Sequence, residues 1–122
     1  MSETVGREWR FYLDDMIAFA EAALAYTEGM DQEGFVNSRL NYDATLRNLE
    51  LIGEAARNVP DSARTMAPHV PWRQVVATRN RLIHGYLGID NDTLWSIVRD
   101  DLPPLVENLK RLKIQIAAGT AD

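Results

Sequence analysis

The stretch LNYDATLRNLELIGEA, residues 40–55, decides the fold class because its apolar side chains recur at helical spacing. These apolar residues are Leu40, Ala44, Leu46, Leu49, Leu51, Ile52 and Ala55. The pattern predicts an amphipathic helix that ends near Asn58, ahead of Pro60. Such a helix has to bury its apolar stripe, so the segments on either side of it determine the architecture.

The segments before and after this helix have the same periodicity. A long first helix is predicted from an apolar stripe that ends before Gly29 and contains Trp9, Tyr12, Met16, Phe19 and Leu24. A third helix is predicted to begin at Pro71 and to be closed by Gly85 and Gly88. Its apolar residues are Trp72, Val75, Val76, Leu82 and Ile83. Gly34 is expected to lie in a loose polar connection, and residues 61–66 in one short helical turn.

A fourth helix is expected to begin at a cap residue, which is Asp90, Asn91 or Asp92. Pro103 and Pro104 either interrupt this helix, with Asp101 as a new cap, or only kink it. No stretch shows the sustained alternation that is typical of strands. We therefore predict an all-α fold, an antiparallel bundle of four to five helices.

Bulk composition limits the class of protein. The 122 residues fit a single domain, 1–122, and the absence of Cys rules out disulfides and thiolate metal sites. The charged N-terminus and the short apolar runs predict neither a signal peptide nor a membrane span, so a cytoplasmic location is expected. A net charge of -5 argues against unspecific binding to DNA or to anionic membranes. Any contact with nucleic acid should be confined to a cleft.

The window 62–89 contains no Asp or Glu, although the chain as a whole is acidic. It holds both histidines, His69 and His84, and four arginines, namely Arg64, Arg73, Arg79 and Arg81. Concentrated positive charge of this kind is what an anionic ligand requires. Alternatively, the window lacks acids by chance or because it belongs to the core.

Arg79 and His84 are candidates for phosphodiester chemistry. A histidine can act as general base and then as general acid, while a guanidinium holds the phosphate and stabilises its developing charge. On RNA, attack by the ribose 2′-OH needs no metal and leaves a 2′,3′-cyclic phosphate and a 5′-OH, so no cofactor is implied. An offset of five residues is about 140° on an ideal helix, so Arg79 and His84 do not lie on one face. They can act on one phosphate if His84 lies outside the helix, if Arg79 reaches round the helix, or if a second copy of the chain completes the site. A helix-capping role is the alternative for His84.

Several neighbours have two open interpretations. Asn80 lies four residues before His84, so its amide would orient the ring or a phosphate, or it is simply a polar helix residue. Arg73 and Arg81 are RNA-binding candidates, and the alternative for Arg79 and Arg81 is that they are plain surface cations. The phenol of Tyr86 would bind substrate, stack on a base or accept a covalent modification, or it lies at the edge of the bundle. His69, between two prolines, is expected to be a loop residue.

The pattern Arg79-Asn80-x-x-x-His84-x-Tyr86 resembles the HEPN superfamily, and more narrowly the HepT-like ribonuclease toxins. The flanking runs 71–73 and 88–90, the segment 52–55 and the Leu102-Pro103 step also resemble that group, so the resemblance covers about the whole chain.

This resemblance implies a homodimer in which two Arg-x4-His motifs line a shared cleft, with metal-independent cleavage of RNA, often tRNA. It further implies a type VII toxin–antitoxin pair, in which a minimal nucleotidyltransferase antitoxin transfers AMP to the motif tyrosine. Carried onto this sequence, Arg79 and His84 are catalytic, Asn80 supports them, and Tyr86 is the site of AMPylation. The competing hypotheses are a non-catalytic module that binds a nucleotidyltransferase and a plain structural dimer.

Overall fold

The computed structural model describes the backbone of residues 2–83 and 85–120, and the side chains of 9–83 and 85–119. Apart from short turns and loops, these residues are helical, which confirms the all-α prediction. The α-helices are α1 Ser2–Tyr26, α2 Gln32–Asn37, α3 Arg39–Arg57, α4 Asp61–Arg64, α5 Trp72–Val76, α6 Thr78–Leu82, α7 Asn91–Ser96 and α8 Leu102–Thr120. A 3₁₀ turn spans Gly85–Leu87, and a π-helical segment spans Ile97–Asp101. Within the described ranges, none of these helices has the length and apolar character needed to cross a bilayer.

Three long helices, α1, α3 and α8, form the main bundle. The Asn41 side chain at the start of α3 donates to the Tyr26 carbonyl at the end of α1 (2.7 Å), so these two helices form an antiparallel hairpin. Lys110 of α8 pairs with Glu21 (2.9 Å) and Lys113 pairs with Asp14, and this reversed order makes α8 antiparallel to α1 as well. The apolar stripes meet in a core that includes Leu13, Met16, Ala20, Leu49, Ile52, Leu109 and Leu112.

The short helix α2 lies where the sequence predicted a loose connection. The Asp31 carboxylate accepts a hydrogen bond from the Gly34 amide (2.8 Å), which caps the helix. Phe35 is completely buried, and its ring centroid lies 5.3 Å from those of Tyr42 and Trp95. Six residues are too few for periodicity to be visible, so the cap and one aromatic anchor decide this element.

Tyr42 joins α3 to the start of α7. Its hydroxyl donates to the side-chain oxygen of Asn91. Burial, and secondarily the negative charge of Asp43, raise the pKa of Tyr42 above its ordinary value of 10.0. The fold therefore favours the neutral phenol.

The prolines do not interrupt the last helix. Residues 91–120 run on as α7, the π segment and α8, and the Leu102 amide donates to the Ile97 carbonyl in the wider π register. This single wide turn stands directly before Pro103 and Pro104, which have no amide hydrogen to donate, so the chain absorbs them without a break. Asp101 is thus not a cap, whereas Asp90 is one, since its carboxylate accepts from the Thr93 amide (3.1 Å).

The predicted third helix is two short helices that meet at Ala77. The Thr78 hydroxyl donates to the Val75 carbonyl (2.6 Å) at this break. Gly53 of α3 packs closely there: a Cβ at Gly53 would lie 3.1 Å from the Val75 carbonyl oxygen and 3.4 Å from that of Val76. Close contact with α3 therefore fixes the place where the chain turns into α6, which carries the arginines of the motif.

Candidate active site

The motif continues into a loop that returns on itself. Helix α6 ends at Leu82, earlier than the predicted end at Gly85, and Ile83 is already extended. The Asp90 amide donates to the Leu82 carbonyl (2.8 Å), and Ile83 and Ile89 form an isolated antiparallel bridge. We call residues 83–89 the motif loop. Gly88, with a φ of 90°, adopts a conformation that favours glycine where the loop turns back.

Arg79 lies on α6 at the base of the motif loop. Its side chain is exposed and lines a cavity of about 150 Å³. The other residues of this cavity are Leu46, Glu50, Leu82, Ile83 and Ile89. In the described part of the chain, the guanidinium has neither an ion pair nor a hydrogen-bond partner. It is therefore free to bind an anion at the loop.

Residue 84, for which we predicted the catalytic imidazole, lies outside the described residues. Its two neighbours, Ile83 and Gly85, both lie beyond the end of α6. The placement of His84 relative to Arg79 therefore stays a prediction. The relation that we predicted between Asn80 and His84 stays a prediction, and Asn80 itself is an exposed residue of α6.

The tip of the motif loop is open to solvent. Tyr86 is 100% exposed, and Leu87 beside it is 76% exposed. At the base of the loop, Ile83 is 43% exposed. The Tyr86 phenol is accordingly accessible to a second macromolecule, and it is not an edge residue packed against the bundle.

The window without acids in the sequence is not free of them in space. Asp101 of the π segment pairs with Arg81 (3.4 Å), and Glu50 of α3 lines the same cavity as Arg79. Glu50 is the site residue that sequence reasoning missed. Its spacing of four residues from Leu46 places both on one face of α3, but nothing in the sequence indicates that this face meets α6.

Arg64 has a structural role. Its Nε donates to the Val59 carbonyl (2.9 Å) and its Nη2 to the Ala56 carbonyl (3.0 Å), where α3 ends. The guanidinium also lies over the Trp72 ring, 5.7 Å from its centroid. Arg64 is thus engaged with the backbone and is not available to a ligand.

The two RNA-binding candidates differ in their surroundings. Arg73 lies on α5, exposed and without a side-chain partner among the residues that are described. Arg81 is half-buried and pairs with Asp101, and both side chains line a second cavity, which His69 also lines. His69 lies in a loop, as predicted. Across the described ranges, no three His, Asp or Glu side chains converge in a way that would hold a metal ion.

Known proteins similar to this chain are ribonucleases by name. The family model described as "Ribonuclease HepT-like" matches residues 16–112. A Methanocaldococcus jannaschii protein named "Putative RNase" is 36% identical over 104 residues, which are 85% of this chain and 95% of the relative. A Thermococcus cleftensis protein named "Probable ribonuclease HepT" is 34% identical over 107 residues, 88% of this chain and 97% of the relative. No solved structure matches the chain.

Proposed function

This chain belongs to the ribonuclease HepT-like family, and from that premise we propose that it is a metal-independent endoribonuclease with Arg79 and His84 as its catalytic residues. One observation carries the proposal: the exposed Arg79 guanidinium has no partner among the described residues, and it lines a cavity together with Ile83 and Ile89, the two ends of the motif loop. In the sequence, His84 directly follows Ile83, a residue of the cavity wall.

The proposed reaction is an internal transfer at phosphorus. The His84 imidazole takes the proton of a ribose 2′-OH, and the 2′ oxygen attacks the adjacent phosphorus. The bond to the 5′ oxygen breaks, and the imidazolium returns a proton to that oxygen. The products are a 2′,3′-cyclic phosphate and a free 5′-OH, and the Arg79 guanidinium stabilises the extra charge on the phosphoryl oxygens in between.

We further propose that two copies of the chain assemble around this site. The motif loop exposes Ile83 and Leu87, and Ile83 lines the same cavity as Arg79, whose guanidinium has no partner in the described part of the chain. A second copy would cover these apolar side chains and would bring two Arg79–His84 pairs to one cleft. RNA, with tRNA as the expected substrate, would bind along that cleft, with Arg73 as a further phosphate contact and Asn80 in support.

Tyr86 is the proposed site of control. Its fully exposed phenol would attack the α-phosphorus of ATP on a minimal nucleotidyltransferase antitoxin, with pyrophosphate as leaving group. The AMP group places a bulky anion two residues from His84, where the RNA phosphate has to bind. Steric overlap and repulsion between like charges would then inhibit cleavage, as expected for a toxin neutralised by its partner.

Cleavage of purified tRNA tests the catalytic assignment. Wild-type protein should cut equally with and without EDTA and should leave the cyclic phosphate and 5′-OH ends. His84→Ala and Arg79→Ala should each lower the rate by about 10²–10³-fold. Arg57→Ala, at an exposed arginine that ends α3, is the matched control and should retain wild-type activity. Equal cleavage by wild type and His84→Ala would show that the nuclease assignment is wrong.

The exposure of Tyr86 also favours a second candidate function. A non-catalytic module that docks a nucleotidyltransferase and presents this tyrosine would have the same open loop tip. That protein would form a stable complex and accept AMP, but would not cleave RNA under any condition. Cleavage by the unmodified protein therefore separates the two functions: a ribonuclease cleaves tRNA and stops when Tyr86 carries AMP, whereas the docking module cleaves in neither state.

A further inference from the structure

A second cavity of about 150 Å³ lies between α3, the α5–α6 segment and α8, on another face of α6 from that of Arg79. Arg79 and Arg81 are two residues apart, about 200° on a helix, and they line different cavities. Leu49, Ile52, Val75 and Leu105 form an apolar floor. The volume is below the roughly 300–1,000 Å³ of sites for drug-sized ligands, so a smaller group fits.

The rim of this cavity is polar and almost neutral. The carboxamides of Gln74 and Asn108 line it, and neither has a hydrogen-bond partner among the described residues. Arg81 and Asp101 also line it, and their charges offset each other at 3.4 Å. A phosphate would find no unpaired arginine at this rim. A neutral group that needs both donors and acceptors would find several.

We propose that this cavity is a nucleobase pocket. A base has flat apolar faces for the floor and an edge of alternating donors and acceptors for Gln74 and Asn108. His69, exposed at the rim, provides an imidazole ring on which a base can stack. The inference rests on the proposed function only because it takes the base to be part of RNA. A free nucleotide would present the same base to the pocket.

Binding of an RNA that cannot be cleaved tests the pocket independently of catalysis. The probe is a fluorescent, fully 2′-O-methylated oligonucleotide, together with a series that lacks one base at successive positions. Gln74→Leu combined with Asn108→Leu removes both carboxamides, and the loss of two hydrogen bonds should weaken binding about tenfold. Gln115→Leu, at an exposed glutamine of α8 that does not line the cavity, is the matched control.

The affinity of wild-type protein should fall about tenfold when one particular base is missing from the oligonucleotide. The double variant should bind the oligonucleotides with and without that base equally. Titration with AMP and with uridine monophosphate shows whether the base comes from RNA or from a free nucleotide. The pocket is assigned to free nucleotides if the double variant binds a mononucleotide more weakly than wild type does, while no missing base changes the binding of the oligonucleotide. The proposal is overturned if the double variant binds all probes like wild type, if the missing-base effect persists in it, or if wild type binds none of them. Because the methylated probe cannot be cut, these results do not depend on ribonuclease activity.

Discussion

Replacing Arg64 by methionine separates structural from functional arginines in the window 62–89. Methionine retains the apolar stem of the side chain but removes the guanidinium that holds the Ala56 and Val59 carbonyls and covers Trp72. At this half-buried position, each charge-assisted hydrogen bond should contribute about 1 kcal/mol, and the contact with the indole up to about 1 kcal/mol. The free energy of unfolding should therefore fall by about 2–3 kcal/mol.

Thermal unfolding followed by circular dichroism measures this loss. With an unfolding entropy of about 2.1 cal/mol/K per residue, a chain of this length loses about 4 °C in Tm per kcal/mol, so Arg64→Met should melt about 8–12 °C lower. Arg64→Lys should recover little, because one ammonium cannot reproduce the planar fork. Arg73→Met, at an exposed arginine without a side-chain partner among the described residues, is the control and should stay within about 2 °C of wild type.

Cleavage of RNA completes the test. At a temperature where wild type and Arg64→Met are both folded, the variant should cleave at the wild-type rate, because the Arg64 guanidinium is engaged with the backbone in the wild-type protein. A Tm within about 2 °C of wild type would refute the structural role that we assign to Arg64. A folded Arg64→Met protein that has lost activity would place this arginine among the ligand-binding ones instead.

Three further predictions concern charge, pH and backbone conformation. Glu50 is the one acidic residue, among those described, that lines the cavity beside the motif loop. Glu50→Gln removes this negative charge, so KM for RNA should fall a few-fold. Glu54→Gln, at an exposed glutamate of the same helix, is the control and should leave KM unchanged. The raised pKa of Tyr42 means that the folded state favours the neutral phenol. Its contribution to stability is complete below pH 10.0 and is lost as the pH rises through the folded-state pKa, and Tyr42→Phe should abolish that loss in a series of melts that runs from below pH 10.0 to above it. Gly88→Ala places a side chain at a φ of 90° and should cost about 1–2 kcal/mol in urea unfolding, against no loss for Gly119→Ala near the end of α8.

Periodicity predicted the long helices because each has to present one apolar face to the others. The stripes through Met16, Leu49 and Leu109 meet in the core, and the predicted end of the second helix near Asn58 is confirmed. The shorter elements depend on single contacts that periodicity does not detect. Helix α2 depends on the Asp31 cap and on burial of Phe35, and the wide turn before Pro103 depends on hydrogen-bond register.

The residues of the candidate site could be predicted only in part from the sequence. The motif identified Arg79 and Tyr86, which the structure places beside a cavity and at an open loop tip. It did not reveal that Glu50 shares that cavity or that Asp101 pairs with Arg81, since both come from elements distant in the chain. Dimerisation and the roles of His84 and Asn80 remain predictions.

The way in which the motif loop is closed determines which of its residues can be exchanged for others. Main-chain groups hold its ends: the Asp90 amide on the Leu82 carbonyl, and the bridge between Ile83 and Ile89. Such bonds do not depend on side-chain identity, so exposed tip residues such as Tyr86 and Leu87 can be exchanged without loosening the anchor, whereas Gly85 and Gly88, at positive φ, are constrained. The exposed tip can therefore vary in sequence while the main-chain anchor beneath it keeps its geometry.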